Sequence, residues 1–315
     1  MARFLFSRNR KTMASDRWPD SVDHLWIDLG PEDGDQVTGT IRRLYNAHPK
    51  VVEHMLQQGH RRPSLLIEDD AVSFTLSLIP TSIPEDDLHR LSFLLGKNFL
   101  VTVHLGDDSA VVDQAMKDVL RDQMMKEGVD FALYQVLREH LARLQELSAS
   151  LGERFEGMQQ EMLEHVYRDM SPQILAMRKR AMSAKHILDP ERSIMNLLKS
   201  EDFPYVQKKN RPYFQDAAFL MEEIGQEVGA IRSGLAAMDQ GYTALQSNQI
   251  NKVMWSLTVV ATLSLPATTL ASIYGMNWKY MPELNWHWGY YFILVLMVFL
   301  AVVMLLWLKV RRRQD

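Results

Sequence analysis

The chain has 315 residues, no cysteine and a net charge of −4; residues 251–315 carry six Lys/Arg against Glu283 and Asp315, which leaves the first 250 residues at −8. Without cysteine there is no disulfide framework, thiolate metal site or cysteine nucleophile. The acidic bulk fits a large soluble domain and argues against a nucleic-acid surface.

Residues 1–20 are basic and lack an apolar core of signal-peptide length, so no cleaved signal is expected and the segment reads as a disordered leader. From His24, HLWIDLG is a strand candidate and 33–48 a helix candidate. SLLIEDDAVSFTLSLI alternates on both sides of Asp69-Asp70 as a hairpin does, and LHRLSFLLGKNFLVTVHLG forms a second hairpin turning at Gly96-Lys97-Asn98. Helical text resumes near Ser109. Residues 21–125 are therefore expected to form a cytoplasmic α/β domain, one sheet covered by helices, within an α+β chain.

Residues 126–211 read as a helical region. Leu137, Leu141, Leu144, Leu151 and Phe155 fall at three-and-four spacing, interrupted at Ser148, a face suited to a partner helix. Ser171-Pro172 and Asp189-Pro190 each predict a new helix start. Arg178-Lys179-Arg180 reads as a solvated helix face. Pro212-Tyr213-Phe214-Gln215-Asp216 opens the last soluble helix, with no stop before Pro266 beyond tolerable glycines at 225, 229, 234 and 241. One stalk helix over 212–273, on the order of 90 Å long, is expected to run into the membrane. A helix of that length must pack on copies of itself or on the preceding helices.

Residues 253–273 and 289–308 are uncharged stretches of the length that crosses a bilayer. The loop 274–288 joins them, and the basic tail 309–315 follows. The cluster from Lys309 to Arg313 places the carboxyl end in the cytoplasm, and two spans return the amino-terminal domain to the same side; Lys252 agrees. Trp278, Tyr280, Trp286, Trp288, Tyr290 and Tyr291 crowd the outer end as an interfacial belt does, with Trp255 and Trp307 near the inner one.

The first span carries a stripe: Asn251, Met254, Thr258, Ala261, Leu265, Thr268 and Ser272 recur at three-or-four spacing and are small, polar or soft. The second span has no such stripe and reads as lipid-facing. One striped and one greasy helix per chain cannot enclose a channel, so several chains would ring their first spans around an axis. Ser and Thr also mediate plain helix–helix packing in membranes, and both readings stay open. Pro266 is either a tolerated kink or an opening that bares carbonyls to a lumen.

Tyr274-Gly275-Met276-Asn277 at the outer end of a span, followed by Met281-Pro282-Glu283-Leu284, resembles the CorA-type divalent-cation channels, the two-transmembrane GxN family. The similarity is close over about 250–313 and looser before it, where it rests on Pro212 to Asp216 and the element order. The resemblance implies a homopentameric funnel in the inner (plasma) membrane, both termini cytoplasmic, with the stalk helix lining the pore. It implies that Gly275, Met276 and Asn277 form the outer selectivity ring. Side-chain carbonyls of Asn277 and backbone carbonyls of Gly275 would accept from the waters of a hydrated cation, which suits Mg2+ because it dehydrates reluctantly. Tyr274 would buttress the turn, and Glu283 would raise the local cation concentration or be a plain solvated loop charge.

By the same resemblance Asn251 matches an inner polar ring, Met254 and Leu257 an apolar constriction, and Thr268 an outer polar ring. Leu265 stands where a well-known member has methionine. Members gated by cytoplasmic Mg2+ carry an acidic residue where this chain has Gln240; Asp239 either serves after a one-residue shift or is a plain surface charge. No cofactor is expected, a divalent cation being the cargo.

The leading expectation is a passive Mg2+ channel that also passes Co2+ or Ni2+, with itself, lipid and cations as partners. A Zn2+ transporter of the same fold, proton-coupled or not, is the alternative, kept open by Gln240 and by His287, which also reads as an interfacial residue. A membrane-anchored scaffold without transport is the third. An enzyme is the weakest: there is no Gly-rich phosphate loop, no HExxH and no nucleophile elbow. His140 and His165 read as helix-surface or packing residues.

Overall fold

A computed structural model describes residues 2–30, 34–44, 49–56, 63–68, 70–78, 89–105, 109–164, 168–277, 279, 281 and 286–311. The chain divides into two compact units, 1–239 and 240–315.

The first unit is built on seven strands: β1 (Arg3–Arg8), β2 (Lys11–Ser15), β3 (His24–Leu29), β4 (Leu65–Ile67), β5 (Ala71–Leu78), β6 (His89–Gly96) and β7 (Phe99–Leu105). They form one sheet in the order β2-β1-β3-β7-β6-β5-β4. Only β3 and β7 pair in parallel; the other neighbours are antiparallel. Side chains alternate across the pleat, so β3 sends Leu25, Ile27 and Leu29 to one face and Trp26 to the other. The first face is covered by α1 (Gly34–Leu44) and α2 (Pro49–Leu56) through Val37, Ile41, Val51 and Met55. The second packs on α3 (Ala110–Arg121), α4 (Val129–Glu164), α5 (Ser171–Leu198) and the first part of α6 (Arg211–Tyr274). β5 and β6 are buried on both faces, with the small hydroxyls of Ser73, Thr75, Ser77 and Ser92 carried among the apolar side chains.

Residues 1–20 are not a disordered leader: β1 and β2 form a hairpin at the edge of the sheet. A buried charge network holds it there. Asp28, 1% exposed, accepts from Arg3 Nε at 3.1 Å and from Thr102 Oγ1 at 2.7 Å, with His104 Nε2 at 3.5 Å. Arg3 also reaches Asp113 on α3. Burial pushes the Asp28 carboxyl up, but the hydrogen bond and charge of His104, then Arg3 and Thr102, outweigh it and hold the group below the ordinary carboxylate value.

Asp189-Pro190 does not start a helix, because α5 runs through it with Pro190 inside. His186, whose carbonyl loses its donor, is exposed, so water can satisfy that group. The neighbouring Glu191 is fully buried and accepts from Ser77 N–H at 2.8 Å while pairing with His140 Nε2 at 2.8 Å. His140 is therefore a packing residue, buried against Glu191, rather than a helix-surface one; His165 lies outside the described residues.

The α4 face of Leu137, Leu141, Leu144 and Leu151 is buried in the same core as Phe214, Met221, Ile224, Val228, Ile231 and Leu235 of α6. The two helices run in parallel. Phe131 and Tyr134 meet Tyr213 at one end, with ring centroids 5.0 and 5.2 Å away, and Phe155 meets Gly234 at the other. A Cβ at Gly234 would clash with the Phe155 ring, so that glycine sets the interhelical approach. Buried Asp130 fixes the turn before α6 by accepting from Gln207 N–H and Asn210 Nδ2, both at 2.9 Å.

The second unit holds the remainder of α6 and α7 (Gly289–Arg311). Both helices are long and apolar enough to cross a membrane.

Candidate functional site

Within the second unit the covered and uncovered faces of α6 separate cleanly. Between 253 and 274 the half-buried positions are Val259, Thr262, Leu263, Pro266, Ala267, Leu270 and Tyr274; every other residue there is exposed. On α7 the half-buried positions include Ile293, Leu296, Leu300, Met304 and Leu308. Both sets recur at three-or-four spacing, as two helices covering each other require.

All eight expected pore positions, Asn251, Met254, Leu257, Thr258, Ala261, Leu265, Thr268 and Ser272, are exposed. At about 100° per residue, their mean direction falls on the order of 180° from the half-buried set. The small and polar stripe thus lies opposite the α7-facing side, with Val253, Trp255 and Val260 on the flanks. Pro266 sits on the half-buried side, and α6 continues through it without a break in the helix.

Two of the three hydroxyls on this face are spoken for by their own helix. Thr258 Oγ1 donates to the Met254 carbonyl and Thr268 Oγ1 to the Ser264 carbonyl, both at 2.8 Å. Each hydroxyl has therefore spent its proton and presents acceptor lone pairs outward. That polarity suits the protons of water around a cation and does not suit an anion.

At the outer end Gly275 N–H donates to the Ala271 carbonyl at 2.9 Å and Met276 N–H to Ile273 at 3.3 Å. The helix thus tightens and stops at the motif. Gly275 is not in a left-handed conformation; its constraint is space, since an added Cβ would lie 3.1 Å from the Ala271 carbonyl. Tyr274 is half-buried on the α7-facing side, whereas Gly275, Met276 and Asn277 are exposed. Among the described residues the Asn277 side chain makes no hydrogen bond, so its carbonyl is available. The negative end of the α6 macrodipole points to the same place.

Met281 is half-buried. Pro282, Glu283, Leu284, Trp278, Tyr280, Arg312 and Arg313 lie outside the described residues. In the aromatic belt, Trp286 stands 5.5 Å from Phe292 and Trp288 stands 6.0 Å from Tyr291, centroid to centroid. His287 is exposed between the two tryptophans, and Asp239 and Gln240 are exposed on α6. Among the described residues no three His, Cys, Asp or Glu side chains converge as a metal site. Sequence reasoning missed the hydroxyl back-bonding, although a Thr inside a membrane helix readily shares the carbonyl four residues back, which is a readable signal.

A model of the CorA-like Mg2+ transporter protein family matches residues 21–312. The cobalt/magnesium transport protein CorA of Thermotoga maritima is 26% identical over 297 residues, covering 93% of this chain and 84% of that one. The magnesium transport protein CorA of Wolinella succinogenes is 27% identical, covering 96% and 95%. The complete structure of the CorA magnesium transporter from Methanocaldococcus jannaschii superposes with a TM-score of 0.80 at 20% identity, covering 100% of this chain and 98% of that one.

Proposed function

The chain belongs to the CorA-like Mg2+ transporter family, and from that premise we propose that it forms a channel for hydrated divalent cations, Mg2+ foremost, with Co2+ and Ni2+ as further cargo. Several copies, five by the family resemblance, ring the striped face of α6 around an axis in the inner membrane, with both termini in the cytoplasm and Gly275-Met276-Asn277 at the outer mouth. The observation that carries this reading is the separation of faces on α6. One side is half-buried in a row that matches the half-buried row of α7, and the opposite side, with Asn251, Thr258, Thr268 and Ser272, is exposed among the described residues.

The ion follows from the donor chemistry. Amide, hydroxyl and backbone carbonyl oxygens are hard, neutral acceptors that hold the waters of Mg2+ without stripping them. Zn2+ prefers imidazole, thiolate or carboxylate ligands at short range, and the stripe from Asn251 to Ser272 has none. Gln240 lacks the charge for cytoplasmic gating by metal, and Asp239 beside it could serve after a one-residue shift.

Flux into proteoliposomes containing the purified full-length chain tests the reading. Mg2+ entry should follow an inside-negative potential without needing a pH gradient, and should exceed Zn2+ entry. Zn2+ entry that requires a proton gradient would replace the proposal with a coupled zinc transporter. No flux of either ion from folded, oligomeric protein would replace it with a scaffold.

A further inference from the structure

Between Val253 and Leu308 the sequence holds only two fully charged residues, Lys279 and Glu283. Lys279 is exposed and stands two residues after Asn277. Two residues span at most about 7 Å of chain, so whatever path the loop takes, the ammonium on its four-carbon stem stays close to the Asn277 amide. The stem adds several ångströms to that limit, so the ammonium stays within about two ~8 Å Debye lengths at physiological salt and its partly screened charge is felt at the mouth. Among the described residues the Asn277 carbonyl, the outward lone pairs of Thr268 further down the stripe and the negative end of α6 favour cations, and the Glu283 carboxylate in the same loop has the same sign. Lys279 opposes them.

We propose that Lys279 is an electrostatic brake at the outer mouth, one ammonium per copy, which lowers the local divalent-cation concentration and so sets the rate of entry. The inference rests on the pore reading above. Because Coulomb energy scales with the product of charges, the brake acts twice as strongly on a divalent as on a monovalent ion and also shapes selectivity. Lysine after a helix C-terminus also stabilises the helix end through the dipole. That role is screened by salt too, but losing it weakens the helix end and does not make the folded protein take up Mg2+ faster.

The test measures initial Mg2+ uptake at fixed potential in proteoliposomes of the full chain. Ionic strength is set at about 0.01 M, where the Debye length is ~30 Å, and at about 1 M, where it is ~3 Å. Lys279→Gln should take up Mg2+ several-fold faster than wild type at the low value and within about twofold of it at the high value, where screening removes the brake. Lys279→Arg, which keeps the charge, should match wild type at both. Lys279→Gln no faster than wild type at low ionic strength, a gain that persists at high ionic strength, or an arginine variant as fast as the glutamine variant would each overturn the brake. Asn277→Ala in the same vesicles keeps the two ideas apart. A wild type that conducts and is silenced by Asn277→Ala while Lys279→Gln changes nothing overturns the brake alone; a wild type that passes no Mg2+ overturns both.

Discussion

Replacing Asn277 by alanine is expected to lower potential-driven Mg2+ uptake more than tenfold while leaving the fold and oligomer intact. Asn277 is exposed past the end of α6 and its side chain makes no hydrogen bond among the described residues, so its removal is expected to cost little packing. On the proposed pore reading, it removes one amide carbonyl per copy from the outer mouth. A hydrogen bond to a charged partner contributes roughly 1.5–3 kcal/mol, and water polarised by Mg2+ approaches that class. Losing even one such bond matches the ~1.4 kcal/mol of a tenfold change in rate, and several copies lose theirs together. Uptake should be assayed beside size-exclusion chromatography. Uptake within threefold of wild type from protein of unchanged oligomeric size would remove Asn277 from the filter.

Glu191→Ala is expected to destabilise the cytoplasmic unit by about 3–5 kcal/mol, the usual cost of breaking a buried pair by deleting one partner. Glu191 is fully buried and joins three elements: its own α5, His140 on α4 and the Ser77 N–H on β5. Alanine would leave the imidazole and the amide both buried without their acceptor, and each orphan carries its own desolvation penalty. Thermal unfolding of the detergent-solubilised protein should show a melting temperature lower by roughly 10 °C for a unit of this size. Glu191→Gln keeps one acceptor oxygen for Ser77 and should lose less. A Glu191→Ala protein that melts with wild type would mean that this pair does not join helix to sheet.

How much of this was legible in the sequence differs by element. The hairpins β4–β5 and β6–β7 announce themselves by alternation and by apolar runs buried on both faces. The hairpin β1–β2 does not, because its turn uses Asn9 and Arg10 with φ of 52° and 62°. Positive φ at both central residues normally calls for Asn-Gly, and arginine in the second position hides the signal. Pro190 misleads in the opposite way, since Asp-Pro is a good helix start but here lies mid-helix, held by the buried Glu191 beside it. The bond between His140 and Glu191 joins residues 51 apart, which no local spacing exposes. The stripe on α6 was visible as a pattern, but a pattern cannot say which side α7 covers. The half-buried row from Val259 to Tyr274 supplies that side.

The central claim is that the Asn251–Ser272 face of α6 meets water while the opposite face does not, and the absence of native cysteine lets it be tested directly. Single cysteines would be introduced as Thr258→Cys, Leu265→Cys and Thr268→Cys on the stripe and as Leu263→Cys and Leu270→Cys on the α7-facing side, with Val298→Cys as a lipid-side control. Each variant would be reconstituted and treated with a charged, water-soluble thiol reagent while Mg2+ uptake is recorded. Labelling and block at 258, 265 and 268, with none at 263, 270 and 298, is the predicted result. Labelling at 263 and 270, or cysteines at 258, 265 and 268 that stay unlabelled in a conducting protein, would contradict it.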